Sequence, residues 1–322
     1  MSIIRTVNLS KRYGALKAVD GLNLEIEEGE IFGLLGPNGA GKTTTIHMLA
    51  TLLRPSSGTA SVNGFDIVKQ AGDVRRSIGL VFQEPSSDDI LTGYENLRLH
   101  AMLYGVPWSV AKGRMEELLK IVDLSDRRND LVKTYSGGMR RRLELARGLI
   151  HRPKVLFLDE PTLGLDPQSR VNIWGYIKRM VSEEHVTVIL TTHYMEEADM
   201  LCDRVGIIDS GRIVVLDSPS QLKKVVGGDI IRLRIQRPKL DQLNNLSYVK
   251  NVDVKNDIVT LMVEDAGRHL QQILSVIGDV ESVEMRSPTL NDVFLHYTGR
   301  EIRENAPEGG FYERVATVRS GR

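Results

Sequence analysis

Cysteine is almost missing from this 322-residue sequence. Cys202 is the only one, so the chain forms no internal disulfide and no cysteine-rich zinc site. A composition of this kind is typical of a reducing compartment. Net charge is missing as well, because 42 Lys and Arg residues balance 42 Asp and Glu residues. No overall field therefore favours nucleic acid or an anionic membrane surface, and a nucleic-acid role would need a local basic patch.

Long hydrophobic runs are also lacking. No apolar stretch approaches the roughly 20 residues that a membrane-spanning helix needs. The first residues, Met1 to Arg5, lack the apolar core of a signal peptide. We therefore expect a cytoplasmic chain that reaches the cell membrane only through another protein. The 41% hydrophobic and 26% charged residues are typical of an ordinary globular protein, and the length favours two domains.

A glycine-rich motif stands between a predicted buried strand, Ile31–Leu35, and a predicted helix, Thr44–Leu53. It consists of Gly36, Pro37, Asn38, Gly39, Ala40, Gly41, Lys42 and Thr43. A loop of this form between a strand and a helix aims backbone N–H groups and the helix N-terminus at one point, which attracts phosphate. Lys42 adds a positive charge for the β- and γ-phosphates, and Thr43 offers a hydroxyl to Mg²⁺. The alternative is a glycine-rich turn that matches by chance.

Polar residues stand at the ends of three other predicted strands. Asp159 closes the apolar run Val155–Leu158 and is a candidate Mg²⁺ ligand, while Glu160 is placed to orient or deprotonate an attacking water. Gln83 and His193 each end a strand and are candidates to reach a γ-phosphate. The alternatives are a solvated loop for the acidic pair and a structural role for the histidine.

A second candidate anion site begins at Ser136. This residue is typical of a helix N-cap, and Gly137 and Gly138 leave the N–H groups of the first turn open to a phosphate. The basic run Arg140–Arg142 follows directly. We interpret it as a solvated helix face, the alternative being a nucleic-acid contact.

The order of the elements predicts an α/β fold with two parts. Residues 1–225 are expected to form a phosphate-binding unit with a β-layer before the phosphate loop, a largely parallel sheet, and a helical insertion at about 84–152. Residues 229–300 form a small α+β domain. Residues 301–322 are charged and contain two adjacent glycines, which is typical of a flexible tail.

The α+β domain carries no phosphate loop, metal cluster or paired acid, so we assign it to assembly rather than chemistry. Its last helix has apolar residues at helical spacing. These residues either pack within their own domain or serve the assembly: Leu290, Val293, Phe294 and Leu295.

Taken in order, these motifs resemble the ATP-binding cassette (ABC) ATPases over about residues 1–225. The resemblance implies ATP and Mg²⁺ as cofactors and gives roles to individual residues. Tyr13 stacks on the adenine, Gln83 contacts the Mg²⁺, the signature runs from Ser136 to Met139, Asp166 belongs to the D-loop, and His193 is the switch histidine. The usual signature reads Leu-Ser-Gly-Gly-Gln; here Tyr135 and Met139 replace its outer residues.

The form of the signature, together with Thr289–Leu295 and Thr298–Arg300, looks like the daunorubicin-resistance branch. That resemblance implies an ATPase subunit of a type-2 exporter, which works as a homodimer beneath a separate membrane permease and exports a drug, antibiotic or other hydrophobic compound. Export of lipid or polysaccharide is an alternative. A soluble ABC protein acting on nucleic acid or ribosomes is disfavoured, because the chain has one cassette, one cysteine and no long insertion.

Overall fold

The structure is a computed structural model that describes residues 2–235, 243, 246–278 and 280–299, so the predicted tail at 301–322 lies outside the described residues. The strands are β1 Ser2–Tyr13, β2 Leu16–Glu27, β3 Ile31–Leu35, β4 Ser57–Val62, β5 Phe65–Asp66, β6 Ile78–Val81, β7 Val155–Asp159, β8 Thr187–Thr192, β9 Arg204–Asp209, β10 Arg212–Asp217, β11 Asp229–Arg234, β12 Val249–Lys255, β13 Ile258–Val263 and β14 Ser282–Arg286.

The helices are α1 Lys42–Leu49, α2 Ala71–Ser77, α3 Gly93–Leu103, α4 Trp108–Ile121, α5 Gly137–Leu149, α6 Pro167–Glu184, α7 Met195–Leu201, α8 Pro219–Val225, α9 Ala266–Ile277 and α10 Leu290–Thr298. Two short 3₁₀ turns, Ser125–Arg127 and Val132–Thr134, lead into α5. Helices α2 and α8 and strand β12 were not predicted from the sequence. No helix within the described ranges is both long and apolar enough to cross a bilayer.

The first sheet is antiparallel, with the strand order β2-β1-β4-β5. In β2 the alternate residues Leu22, Leu24 and Ile26 are buried, and polar residues stand between them on the exposed face. This period of two is why the segment forms a half-buried strand. The sheet confirms the predicted β-layer. Tyr13, which the sequence predicts in a loop, is the last residue of β1.

The central sheet has the order β10-β9-β3-β8-β7-β6 and is parallel except for β10, which is antiparallel to β9. Every residue of β3, β7 and β8 is buried, as continuous apolar runs require when both faces of a sheet are covered. Because these three strands are neighbours and parallel, their carboxyl ends meet at one edge of the sheet. The predicted α/β core is confirmed, and this edge holds the polar residues described below.

Helices α3, α4 and α5 form the predicted helical region. Helix α3 starts with a reciprocal cap, in which Glu95 N donates to Thr92 Oγ1 at 3.1 Å and Thr92 N donates to Glu95 Oε2 at 2.8 Å. The buried Arg114 of α4 anchors this region to the core. Its two terminal nitrogens each lie 2.6 Å from a carboxylate oxygen of Glu184 at the end of α6. Bidentate geometry of this kind fixes the relative orientation of two helices.

The C-terminal sheet is antiparallel, with the order β12-β13-β11-β14, and α9 packs on it through Ile273 and Ile277. Helix α10 behaves differently. Leu290, Val293 and Phe294 are buried in the hydrophobic cluster of the ATP-binding unit, where α10 contacts α7 and α8. For these three residues, the alternative of packing within their own domain is therefore wrong. They join the C-terminal residues to the main core.

The single cysteine ends α7 inside the protein. Cys202 is buried, and a Cβ atom placed on Gly33 of β3 would lie 2.6 Å from its Sγ atom. A glycine at position 33 is therefore required for this close approach of helix and strand. Burial, with smaller contributions from Glu197 and Asp203, raises the pKa of the Cys202 thiol well above its usual value.

Candidate active site

The phosphate loop connects β3 to α1 at the carboxyl edge of the central sheet. Gly39 and Gly41 have φ angles of 81° and 109°, a conformation that side chains disfavour. The neighbouring backbone also leaves no room for a side chain at positions 36 and 41. A Cβ atom on Gly36 would lie 2.2 Å from the carbonyl oxygen of Ile208, and one on Gly41 would lie 2.4 Å from that of Ala18. The backbone of the loop is therefore held closely against its neighbours, with Gly41 at the start of α1.

Lys42 is the first residue of α1 and is buried. Its Nζ atom donates to the carbonyl oxygens of Gly36 at 2.8 Å and Pro37 at 3.2 Å. The same atom lies 3.4 Å from Oε1 of Glu160. The ammonium group thus bridges the phosphate loop and the end of β7.

Asp159 ends β7, and two hydroxyls converge on its carboxylate. Oδ1 of Asp159 accepts hydrogen bonds from Thr43 Oγ1 at 3.1 Å and from Thr191 Oγ1 at 2.5 Å. The Thr191 hydroxyl also accepts from the backbone N–H of Glu160 at 3.0 Å. The predicted pair Thr43 and Asp159 is brought together. Thr191 was not singled out from the sequence, in which it is the first of two threonines that precede His193.

Glu160 lies one residue beyond β7, in the left-handed region with φ of 47°. Its Oε2 atom accepts from Nδ1 of His193 at 3.1 Å, and its Oε1 atom faces Lys42. Burial acts to raise the pKa of Glu160, but the hydrogen bond from His193 and the charge of Lys42 outweigh it and lower the pKa below its usual value. The carboxylate therefore stays ionised in a largely buried position.

His193 follows β8 directly and is buried, with its ring 4.1 Å from the ring of Tyr194. Arg170 of α6 stacks on the ring of Tyr194, and its guanidinium carbon lies 3.9 Å from the ring centroid. Gln83 follows β6 at the same edge of the sheet but is exposed. The structure thus joins His193 to Glu160 and leaves Gln83 at the surface.

Tyr13 lies beside the phosphate loop although it comes from the first sheet. Burial raises the pKa of Tyr13, against the lowering effect of a hydrogen bond with Thr44 of α1. Nζ of Lys11 lies 5.4 Å from the centre of the tyrosine ring. An aromatic ring next to Thr44 is suitably placed for a flat base beside a bound phosphate chain.

The Ser-Gly-Gly stretch opens α5 as predicted. Ser136 is the N-cap, and its hydroxyl accepts from the backbone N–H of Met139 at 3.3 Å. The preceding Tyr135 is buried, and its hydroxyl donates to the carbonyl oxygen of Arg127 at 2.7 Å. The aromatic residue at the first signature position therefore serves the fold of the helical region. Gly137 and Gly138 lie near the start of α6. A Cβ atom on Gly137 would lie 3.7 Å from Leu165, just before α6, and one on Gly138 would lie 3.5 Å from Ser169 of α6.

Asp166 is exposed and caps α6, accepting from the backbone N–H of Ser169 at 3.0 Å.

The interpretation of Arg140–Arg142 as a solvated face is wrong for its middle member. Arg141 is buried, and burial lowers its pKa to about 10, so it remains charged at neutral pH. Charge runs predict exposure on average, but this residue turns toward the end of β7.

Comparison with known proteins agrees with this arrangement. Residues 19–163 match the family model described as ABC transporter. Residues 218–298 match the model described as ATP-binding protein DrrA1-3-like, C-terminal domain. The chain belongs to the ABC transporter family, and its core is an ABC ATPase.

Two relatives and one solved structure are similar to this chain over most of their length. It is 43% identical to the daunorubicin resistance ATP-binding protein DrrA3 of Streptomyces coeruleorubidus, over 92% of this chain and 96% of that protein. It is 38% identical to the linearmycin resistance ATP-binding protein LnrL of Bacillus subtilis (strain 168), over 94% of this chain and 100% of that protein. The dimeric post-hydrolysis state of the ATP-binding cassette MJ0796 bound to ADP and Pi superposes with a TM-score of 0.60 at 26% identity, covering 67% of this chain and 98% of that one.

Proposed function

We propose that this protein is the ATP-hydrolysing subunit of an exporter that removes a drug, antibiotic or other hydrophobic compound through a separate membrane permease. The observation that carries the proposal is the placement of the Glu160 carboxylate between Lys42 of the phosphate loop and His193. The resistance functions printed for DrrA3 and LnrL support the export of a toxic compound.

In this proposal the nucleotide is ATP with Mg²⁺. Thr43 and Asp159 suit Mg²⁺, because their hydroxyl and carboxylate oxygens are hard donors held within 3.1 Å of each other. Gln83, which follows β6 at the same edge of the sheet, would supply a third oxygen ligand. A metal held by these residues would neutralise the negative charge that develops on the phosphates during hydrolysis. The phosphates rest on residues 36–44, and the adenine stacks on Tyr13.

The protein residues then divide the work of hydrolysis. Glu160 accepts a hydrogen bond from the attacking water and draws away its proton. His193 orients Glu160 through the contact at Nδ1 and holds the γ-phosphate. Lys42 leaves Glu160 for the phosphate oxygens, because three negatively charged oxygens attract its ammonium more strongly than one carboxylate. That exchange frees the base as the substrate arrives.

The proposal includes a homodimer that closes on ATP. One copy has one phosphate loop and one Ser136–Gly138 stretch, and each ATP would lie between the loop of one copy and the signature of the other. The charge of each ATP would then be shared by the N-termini of α1 and α5 from different copies. Asp166, which caps α6, would lie beside this interface. The solved dimer of MJ0796 supports this arrangement.

The permease would dock in a groove between the helical region and the core. A cavity of about 320 Å³ there is lined by Leu52, Phe82, Ser86, His100 and Tyr104, among others. Met102 and Leu103 are strongly exposed close to this groove, at the end of α3. An apolar rim of this kind is typical of a protein interface, and Gln83 would connect it to the nucleotide. Through this partner the chain would work on the cytoplasmic face of the cell membrane.

Transport in inside-out membrane vesicles tests the function. Vesicles that contain the chain and a partner with about six hydrophobic spans should take up a fluorescent hydrophobic drug when ATP is added. The matched control carries the Glu160→Gln variant and should accumulate none. Failure to associate with any such membrane protein, together with RNA binding by the purified chain, would instead favour the soluble ABC protein.

A further inference from the structure

The buried guanidinium group of Arg141 donates hydrogen bonds to four backbone carbonyl oxygens near the end of β7. Arg141 Nε donates to Pro161 O at 2.6 Å, and Nη2 donates to the carbonyl oxygens of Asp159 and Glu160 at 3.1 Å each. Nη1 donates to Phe82 O at 2.6 Å. Three of these carbonyls are consecutive, and the fourth belongs to the residue before Gln83. Arg141 itself sits in the first half of α5, the helix that the signature opens.

The segment held in this way is unfavourable by itself. Glu160 adopts φ of 47°, a conformation that non-glycine residues take up only when their surroundings impose it. Its N–H is fixed by Thr191 and its carbonyl by Arg141. Both peptide groups of the residue are therefore anchored, and this orientation directs the carboxylate toward Lys42 and His193.

The other end of this segment is fixed by a buried acid. Oε1 of Glu197 in α7 accepts from Thr162 Oγ1 at 2.8 Å and from Trp174 Nε1 at 3.0 Å. Burial raises the pKa of Glu197, against the influence of its hydrogen bonds and of Arg141. Helix α7 begins two residues after His193. Residues 159–162, here called the acidic turn, thus lie between a cation from the signature helix and an acid from the helix after the switch histidine.

We infer that Arg141 and Glu197 are positioning residues, which hold the acidic turn so that Glu160 faces the γ-phosphate. Arg141 also bonds to Phe82, so a movement of α5 shifts Glu160 and Gln83 together. Closure onto a nucleotide at the N-terminus of α5 is thereby transmitted within one chain to the base and to the permease groove. The inference rests on the hydrolysis proposed above, since it concerns the placement of its base.

Arg141→Gln tests the first contact, with Arg142→Gln as its matched control on the same helix. Arg142 bonds to the carbonyl oxygens of Val122 at 3.0 Å and Asp123 at 2.8 Å, away from the acidic turn. Single-turnover hydrolysis should fall by about 10²-fold in Arg141→Gln, the size expected for a misplaced catalytic group. ATP affinity, measured by equilibrium binding, should change by less than about threefold, because the base contributes mainly to the transition state. Arg142→Gln should change neither quantity by more than that.

Glu197→Ala, with Glu196→Ala as its control, tests the second contact. Glu196 is an exposed neighbour on the same helix. Only the substitution at 197 should slow single-turnover hydrolysis. If the Arg141→Gln chain does not fold, as judged by circular dichroism, Arg141→Lys takes its place, because a lysine supplies one point charge but cannot span four carbonyls.

The decisive comparison repeats Arg141→Gln in the Glu160→Gln background. A residue that acts through Glu160 should cause little further loss of the residual rate there, so the two effects should not add. Equal factors in both backgrounds, or a loss of ATP affinity as large as the loss of rate, would overturn the inference. A parent chain without hydrolysis that depends on Glu160 would refute the proposed function itself, whereas normal hydrolysis by Arg141→Gln would refute only the positioning role.

Discussion

Nδ1 of His193 and Oε2 of Glu160 lie 3.1 Å apart, across the ends of the neighbouring strands β8 and β7. The contact joins the two residues that the sequence assigned independently to a base and a switch. It also explains why a largely buried carboxylate keeps a pKa below its usual value. The Glu160 carboxylate is therefore ionised in this structure, with Lys42 still in contact with its Oε1 atom.

The first prediction concerns the base. Glu160→Gln keeps the shape and the hydrogen bond to His193 but removes the negative charge, so the water loses its proton acceptor. Hydrolysis should fall on the order of 10²-fold or more while ATP binding remains. Phosphate release and equilibrium ATP binding on the same preparation measure the two effects. Turnover close to that of the parent would exclude this role for Glu160.

The second prediction concerns composite sites. Lys42→Ala and Ser136→Arg chains should each be inactive alone, the first through the phosphate loop and the second through the signature. A mixed dimer contains one site with both parts intact. An equimolar mixture should therefore recover roughly a quarter of the parent activity, because half of the dimers are mixed and each has one working site of two.

The measurement is steady-state hydrolysis of the mixture after ATP-driven association, with each variant alone as control. Light scattering should show that both variants form dimers. Recovery of no activity by mixtures that demonstrably associate would contradict the sandwich.

The third prediction follows from the packing of α10. Phe294 is fully buried in the cluster that also contains Trp174 of the ATPase core. Phe294→Ala should lower the free energy of unfolding of that core by roughly 3–5 kcal/mol, as large-to-small changes at buried aromatic positions do. Tyr297→Ala on the exposed side of the same helix should cost less than about 0.5 kcal/mol. Urea unfolding followed by tryptophan fluorescence tests both, and equal costs would place α10 outside the core.

The fourth prediction concerns acid. Arg286 makes two contacts with the Asp292 carboxylate, at 2.6 and 2.8 Å, and Thr289 N donates to it at 2.8 Å. Burial acts to raise the pKa of Asp292, but these partners outweigh it and lower the pKa below its usual value. A carboxylate with a lowered native pKa stabilises the fold above its unfolded pKa, and this stabilisation is lost as the pH falls through the native value.

Asp292→Asn should therefore lower the free energy of unfolding by about 1 kcal/mol at pH 7, the typical size for a cap at the start of a helix. The difference from the parent should shrink as the pH falls below 3.8. Urea titrations at several pH values give both numbers. A difference that stays constant with pH would mean that the charge of Asp292 contributes nothing.

Local motifs and three-dimensional packing differ in how far a sequence reveals them. The glycines of the phosphate loop were predictable because their spacing reflects the path of one short backbone segment. Thr191 was not, because its contact with Asp159 depends on β8 lying beside β7, which a list of strands does not specify. The cap at Ser136 was predicted from its immediate neighbours, and the structure confirms it.

Arg141 was misjudged, and the packing of Phe294 was left open between two alternatives, for related reasons. A run of three arginines favours a solvated face, and only the position of α5 against the end of β7 buries the middle one. The apolar spacing of α10 predicts a buried face but does not say which core receives it. In both cases the missing information is the relative placement of elements far apart in the chain.

The burial of Cys202 has a practical consequence. Its thiol is inaccessible and poorly ionised in the folded protein, so thiol-reactive dyes should leave the native chain unlabelled. A cysteine introduced at Leu52, an exposed residue that lines the groove, would then be the only site that reacts. One fluorophore could follow the groove beside the nucleotide during turnover, without first removing the natural cysteine, and late labelling of Cys202 would report global unfolding in the same sample.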